Sequence, residues 1–289
     1  MRKAMTAVVT GSTGGIGGAV CDELASQGWS LILVNRSQSK AFDQKERLVA
    51  KYPDITVDLV ETDLMDLTRI EQSCREIEQK AGQVDALYGI AGVLTSERRL
   101  SAQGYESHYA VNVLANCVLI RNLIPIMTMG ESLQPPMIVT MSSSAIKRGA
   151  LDIENLSDPP KIGGLMGAYA QSKLALTAIC AEMAPELEAL GIRIRAIDPG
   201  PTKTSMTAGG DGMPLVLKWL APILFSDPQK QAAKIVAAAD PEAFGGATGI
   251  FVSSGRQNPL PKSIASQPIR GQLLEKIHRD CQAPQGQPA

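Results

Sequence analysis

The chain has 289 residues, 44% of them hydrophobic, and a formal net charge of -1, which suits one large packed domain or at most two small ones. The balanced charge excludes the basic footprint of a nucleic-acid or anionic-membrane binder. Five scattered cysteines without a CxxC pair exclude a disulfide framework, and two histidines, His108 and His278, leave no basis for a histidine metal site or a Ser-His-Asp triad.

The first strand-like run, Thr6–Thr10, leads straight into Thr10-Gly11-Ser12-Thr13-Gly14-Gly15-Ile16-Gly17 and then an amphipathic stretch, 16–27. No apolar signal core precedes it, so a cytoplasmic protein is expected. A glycine-rich turn between a strand and a helix lets pyrophosphate approach the backbone, where the helix N-terminus offers free N–H groups. The second strand, 31–35, ends in Asn35-Arg36-Ser37. An acidic residue at that place would pair with the ribose hydroxyls of NAD, whereas a neutral residue followed by arginine suits the extra phosphate of NADP. The alternative is an Arg36 that only faces solvent. After the third strand, Val57–Glu61, stand Asp63 and Leu64, with Asp63 either contacting adenine or capping the next turn.

A helix over 67–80, a strand over 84–90 ending before Ala91-Gly92, and a long helix over 105–127 carrying Asn112 follow. The fifth strand, Met137–Met141, runs into Ser142-Ser143-Ser144. A second long helix spans 169–190, and strands are expected at 193–197 and 249–252. Short Val-, Ile- and Leu-rich strands alternating with amphipathic helices predict an α/β doubly wound fold. The sheet would be mostly parallel and seven-stranded, with helices on both faces and its ligand crevice at the strands' carboxyl ends. One domain is expected over 1–282. It is interrupted by segments 147–166 and 205–228 and followed by a Pro/Gln/Gly-rich tail, 283–289, read as disordered.

Tyr169 and Lys173 are four residues apart and therefore share one face of their helix. A lysine cation beside a phenol favours the phenolate, which makes such a tyrosine a usable acid or base near neutrality. Alone, the pair equally describes a surface tyrosine with a lysine neighbour.

In combination and in this order, these motifs resemble the short-chain dehydrogenase/reductase family over about residues 5 to 255, and within it the retinol-dehydrogenase-like branch. Thr10, Gly11, Gly15 and Gly17 match the TGxxxGxG loop; Asn112, Ser143, Tyr169 and Lys173 match the catalytic set; Pro199-Gly200 with Thr204 matches the segment that holds the nicotinamide carboxamide. The spacing of 26 between Ser143 and Tyr169 leaves Ser142 and Ser144 as alternatives, with the strand end favouring Ser143. Ile90 stands where the family usually has an asparagine that braces the sheet.

The resemblance implies NADP(H) held by Gly11, Ser12, Thr13, Gly15, Ile16, Gly17, Asn35, Arg36, Ser37, Asp63, Leu64, Ala91, Gly92, Tyr169, Lys173, Pro199, Gly200, Thr202 and Thr204, with no metal. It further implies reversible hydride transfer to a carbonyl or from a secondary alcohol. Tyr169 would serve as the acid, Ser143 would orient the oxygen, Lys173 would lower the phenol's pKa and bind ribose, and Asn112 would hold a relay water. A homodimer or homotetramer paired through the two long helices is also implied.

The apolar run Met213–Phe225 reads as a lid over a hydrophobic small-molecule substrate, equally as a core helix or subunit contact; it is too short to span a membrane, and a peripheral membrane contact stays open. Related chemistry on the same scaffold, double-bond reduction or epimerisation, is the nearest alternative. A non-catalytic dinucleotide sensor and a purely structural protein are the others.

Overall fold

The computed structural model describes residues 4–128, 134–162, 167–203 and 225–282. Thr204, the run 213–224, most of segment 205–228 and the tail 283–289 therefore lie outside the described residues.

Eight strands form one sheet: β1 (Thr6–Thr10), β2 (Ser30–Asn35), β3 (Val57–Glu61), β4 (Ala86–Gly89), β5 (Met137–Met141), β6 (Arg193–Asp198), β7 (Ile250–Ser253) and β8 (Arg256–Asn258). Their order is β3-β2-β1-β4-β5-β6-β7-β8. All neighbours are parallel except β7 and β8. The α/β doubly wound expectation holds, with eight strands instead of seven. The extra strand, Arg256-Gln257-Asn258, is an exposed polar edge with no apolar signature to mark it. The central strands are apolar throughout because helices cover both faces; Ala7, Val8 and Val9 are wholly buried.

Among the described residues the helices are α1 (Gly15–Ser26), α2 (Gln38–Lys51), α3 (Leu67–Ala81), α4 (Ser107–Met127), α5 (Ala168–Ala189), α6 (Pro228–Ala239), α7 (Lys262–Ala265) and α8 (Gln267–Gln282). Two apolar cores flank the sheet. One joins it to α3, α4, α5 and α8, the other to α1 and α6. Helix ends are set locally: Asp66 accepts from the Thr68 N–H at 3.0 Å, and Asp227 accepts from the Gln229 N–H at 2.8 Å with Pro228 opening α6.

Strand order reverses between β1 and β4, so the chain ends leaving these two strands diverge and open a crevice at their carboxyl ends. The glycine loop follows β1, Ala91-Gly92 follows β4, Ser143 follows β5 and Pro199-Gly200 follows β6.

α4 is the one described helix long and apolar enough to cross a membrane, and 78% of its apolar window is buried within the fold. The sequence reading weighed only the 213–225 run for that role. α4 and α5 are apolar on nearly all sides because the sheet covers one side and α8 lies against α5 and the start of α4. Leu273 and Ile277 of α8 are fully buried, and Tyr109 donates its hydroxyl to Asp280 at 2.6 Å. Tyr105 donates to the Asp280 carbonyl at 3.0 Å, and Arg270 pairs with Glu182 at 3.1 Å.

Candidate active site

The glycine loop is shaped by contacts that admit no side chain. Gly11 is left-handed, at φ 66°, and a Cβ there would sit 2.9 Å from the Ala91 Cα. A Cβ on Gly17 would collide with the Gly11 carbonyl oxygen. Gly14 caps α1 without a side-chain cap bond, and the first turn carries no acidic residue. The loop thus presents backbone at a positive helix end, which fits a pyrophosphate.

Asn35 stands in the expected place but turns inward. It donates to Ser12 Oγ at 2.7 Å and accepts from the Thr13 N–H at 3.2 Å and the Thr13 hydroxyl at 3.3 Å. It braces the loop from below, so its side chain is engaged away from solvent. Arg36 is exposed and Ser37 precedes α2. Of the two roles open for Asp63, the structure shows the local one: its carboxylate accepts from the Met65 N–H at 3.0 Å. Leu64 packs against the core.

At the centre, α5 carries Tyr169 and Lys173 towards the end of β5. Ser143 is partly exposed, its hydroxyl accepts from the Ala145 N–H at 3.2 Å, and it stands near enough to the Tyr169 phenol to lower the phenol's pKa. Ser142 instead points inward to Thr177, 2.7 Å away, and Ser144 is exposed. The geometry therefore selects Ser143. Lys173 is buried, donates to the Met141 carbonyl at 2.9 Å, and lies 6.0 Å from the Tyr169 ring centroid. Gly92 leaves room for its ammonium, since a Cβ there would lie 3.3 Å from Nζ.

The electrostatics differ from the simple lysine–phenol picture. Burial pushes the Tyr169 pKa up; the Ser143 hydrogen bond opposes this, and the nearby charge of Asp198 adds to it. Burial also brings Lys173 down to about 8. With these groups alone the phenol stays protonated at neutral pH, and Lys173 stands at the edge of losing its charge.

Asn112 falls in a π-helical stretch of α4, Ala110–Leu114, a distortion that recurs at functional sites. Its side chain is fully engaged: Oδ1 accepts from the Val93 N–H at 2.8 Å, while Nδ2 donates to the Val93 carbonyl at 3.2 Å and Ser172 Oγ at 2.9 Å. Its carbonyl accepts from Asn116 at 3.1 Å. The Asn112 side chain is thus a brace between α4, α5 and the segment after β4. Asn116 in turn packs on Gly89, where any Cβ would collide with its Oδ1.

Pro199, Gly200 and Thr202 follow β6. Gly200 is left-handed, at φ 73°, and Thr202 donates to its carbonyl at 3.0 Å. Sequence reading missed Asp198, which accepts from the Gly200 N–H and from Ser253 Oγ, each at 2.9 Å, and so fixes this turn to β7. Its position directly before Pro199-Gly200 was the available signal. Glu106 and His108 were also missed. Both are fully buried, and the His108 ring centroid lies 6.3 Å from that of Tyr169.

Residues 5–211 match the family model for short chain dehydrogenase. Retinol dehydrogenase 13 of Mus musculus is 28% identical over 201 residues, covering 70% of this chain and 59% of that protein. The chain thus spans about three-fifths of the length of that relative. Polyprenol dehydrogenase of Homo sapiens is 28% identical over 282 residues, covering 95% of this chain and 84% of that protein. Among solved structures, a Mycobacterium paratuberculosis protein superposes with a TM-score of 0.74 at 23% identity, over 98% of this chain and 95% of the other. A blue fluorescent protein from a metagenomic library, in complex with NADPH, gives a TM-score of 0.68 at 22% identity, over 91% and 98%. These structural likenesses concern the fold. The matched length shows that the chain belongs to the short-chain dehydrogenase family, a family of oxidoreductases whose members work with a nicotinamide cofactor.

Proposed function

We propose that this protein transfers a hydride between NADP(H) and the carbonyl or secondary alcohol of an apolar small molecule. The observation that carries the reading is the convergence of Ser143, Tyr169 and Lys173 at the end of β5, beside a glycine loop shaped for pyrophosphate. The bound nicotinamide would supply the hydride.

The chain's own groups do the rest. The loop Gly11–Gly17 and the start of α1 would hold the phosphates, with Asn35 bracing the loop from beneath. Lys173, held by the Met141 carbonyl, would bind the nicotinamide ribose. Ser143 orients the substrate oxygen against the phenol, and Tyr169, protonated at neutral pH, donates its proton to the developing oxyanion. Asp198 holds the Pro199-Gly200 turn in place. Polyprenol dehydrogenase and the retinol dehydrogenases, by their names, act on long apolar alcohols, which supports an apolar substrate here.

NADP preference rests on exposed Arg36 beside a position without a carboxylate. Titration with NADPH and NADH, followed by nicotinamide fluorescence, should show at least about tenfold tighter NADPH binding, some 1.4 kcal/mol. Arg36→Ala should remove that preference. Equal affinities in the unaltered protein would leave NAD as the cofactor.

A further inference from the structure

The pair Glu106 and His108 is wholly buried at the start of α4, and the hydride-transfer reading gives it no task. The Glu106 carboxylate accepts from His108 Nδ1 at 2.9 Å, from the His108 backbone N–H at 2.9 Å and from Ser107 Oγ at 2.8 Å. Burial would raise its pKa, but these donors, His108 foremost, outweigh that and hold it below the usual carboxylate range. The carboxylate is therefore charged and fixes a proton on Nδ1. The opposite nitrogen, Nε2, is left as an acceptor, and it receives the Thr95 N–H at 3.2 Å. Each ring nitrogen thus has one assigned partner.

What His108 holds is the segment that follows β4. Ala91 donates its N–H to Thr10 Oγ1 at 3.1 Å, Val93 is held through both backbone groups by Asn112, and Thr95 is held by His108. Within this strap, Gly92 lies against the Lys173 ammonium. The imidazole also meets the Tyr169 ring edge-on, at an interplanar angle of 73°. One side chain therefore touches both the strap and the proposed acid. A leucine of similar bulk would fill the same space without either polar contact.

We infer that His108, held in one tautomer by Glu106, is a positioning residue that sets the strap 91–95 against Tyr169 and Lys173. This rests on the hydride-transfer reading. His108 need not touch substrate or cofactor. It acts through Thr95 and the Tyr169 ring, so its loss should lower kcat and leave NADPH affinity alone.

The test compares His108→Leu with His108→Gln in the full chain. Steady-state reduction of an apolar ketone is read beside NADPH binding. His108→Leu should reduce kcat on the order of 10²-fold, the usual effect of misplacing reacting groups by about an ångström, with NADPH affinity unchanged. His108→Gln, whose side-chain oxygen can accept the Thr95 N–H, should recover most of that loss. If the leucine variant does not fold, Thr95→Pro removes the donated N–H from the partly exposed strap and should lower kcat by itself. Unchanged kcat in the variants tested, or equal impairment of Leu and Gln, would overturn the inference while leaving the wild-type reading intact. No turnover by the wild-type protein would overturn both.

Discussion

Replacing Tyr169 by phenylalanine should lower kcat by about 10²–10⁴-fold, the range lost when a positioned general acid is removed. NADPH affinity should stay within about twofold of wild type. The phenol is the group whose loss matters because it stands beside Ser143, while burial, with the charge of Asp198, keeps it protonated. Phenylalanine keeps the ring that packs edge-on against His108, so the fold should be preserved. Turnover within about tenfold of wild type would remove Tyr169 as the proton donor and leave Lys173, brought down to about 8 by burial, as the next group to examine.

Arg195→Leu should destabilise the protein by about 4 kcal/mol or more, read by chemical denaturation. Arg195 lies in β6 with no exposed surface, and it meets five carbonyl oxygens instead of a carboxylate. Nε donates to Ala247 at 2.9 Å, one terminal nitrogen to Ala238 and Asp240 at 2.9 and 2.6 Å, and the other to Pro241 and Ala243 at 3.0 and 2.9 Å. The guanidinium thereby satisfies the end of α6 and the turn after it, where Phe244 adopts a left-handed φ of 56° and its ring lies 5.5 Å from the Arg195 charge. Leucine would leave five acceptors without that partner, each costing roughly 1–3 kcal/mol if it stays dry. Lysine, with three donors from one point, should fall between the two. A change below about 1 kcal/mol for leucine would mean that water replaces the guanidinium freely.

The sequence made the frame readable because the frame is periodic. Apolar strands alternating with helices, a glycine loop after the first strand and the Tyr169–Lys173 spacing are local patterns. Each lies where the structure puts it, within a residue or two. β8 was missed because Arg256-Gln257-Asn258 has nothing apolar to show, its pairing being supplied by β7. α2 does not stand out either, since it buries only Ala41 and Leu48 along its length.

The site was harder to read where the deciding contact is long-range. Asn35 was read only as a neutral residue at the cofactor's edge, whereas its hydrogen bonds go to Ser12 and Thr13, over 20 residues earlier. The bracing contacts of Asn112 with Val93 and Ser172 could not be read from its own segment. Lys173 was expected to pull the Tyr169 pKa down. Burial, which no spacing reveals, raises it instead. His108 gave no signal because its partners, Thr95 and Tyr169, come to it from two distant parts of the chain, the segment after β4 and α5. The docking of α8 on α5 and the start of α4 could not be read either, because so polar a helix gives no hint of where it packs.

Hydride transfer is the claim on which the rest depends, and isotope transfer tests it most directly. NADPH deuterated at its transferable nicotinamide position would be incubated with the protein and a panel of apolar ketones and aldehydes, and the products examined by mass spectrometry. The account predicts alcohols that carry one deuterium, on the former carbonyl carbon. Deuterium on a reduced carbon–carbon double bond, or no deuterated product from any member of the panel, would contradict it.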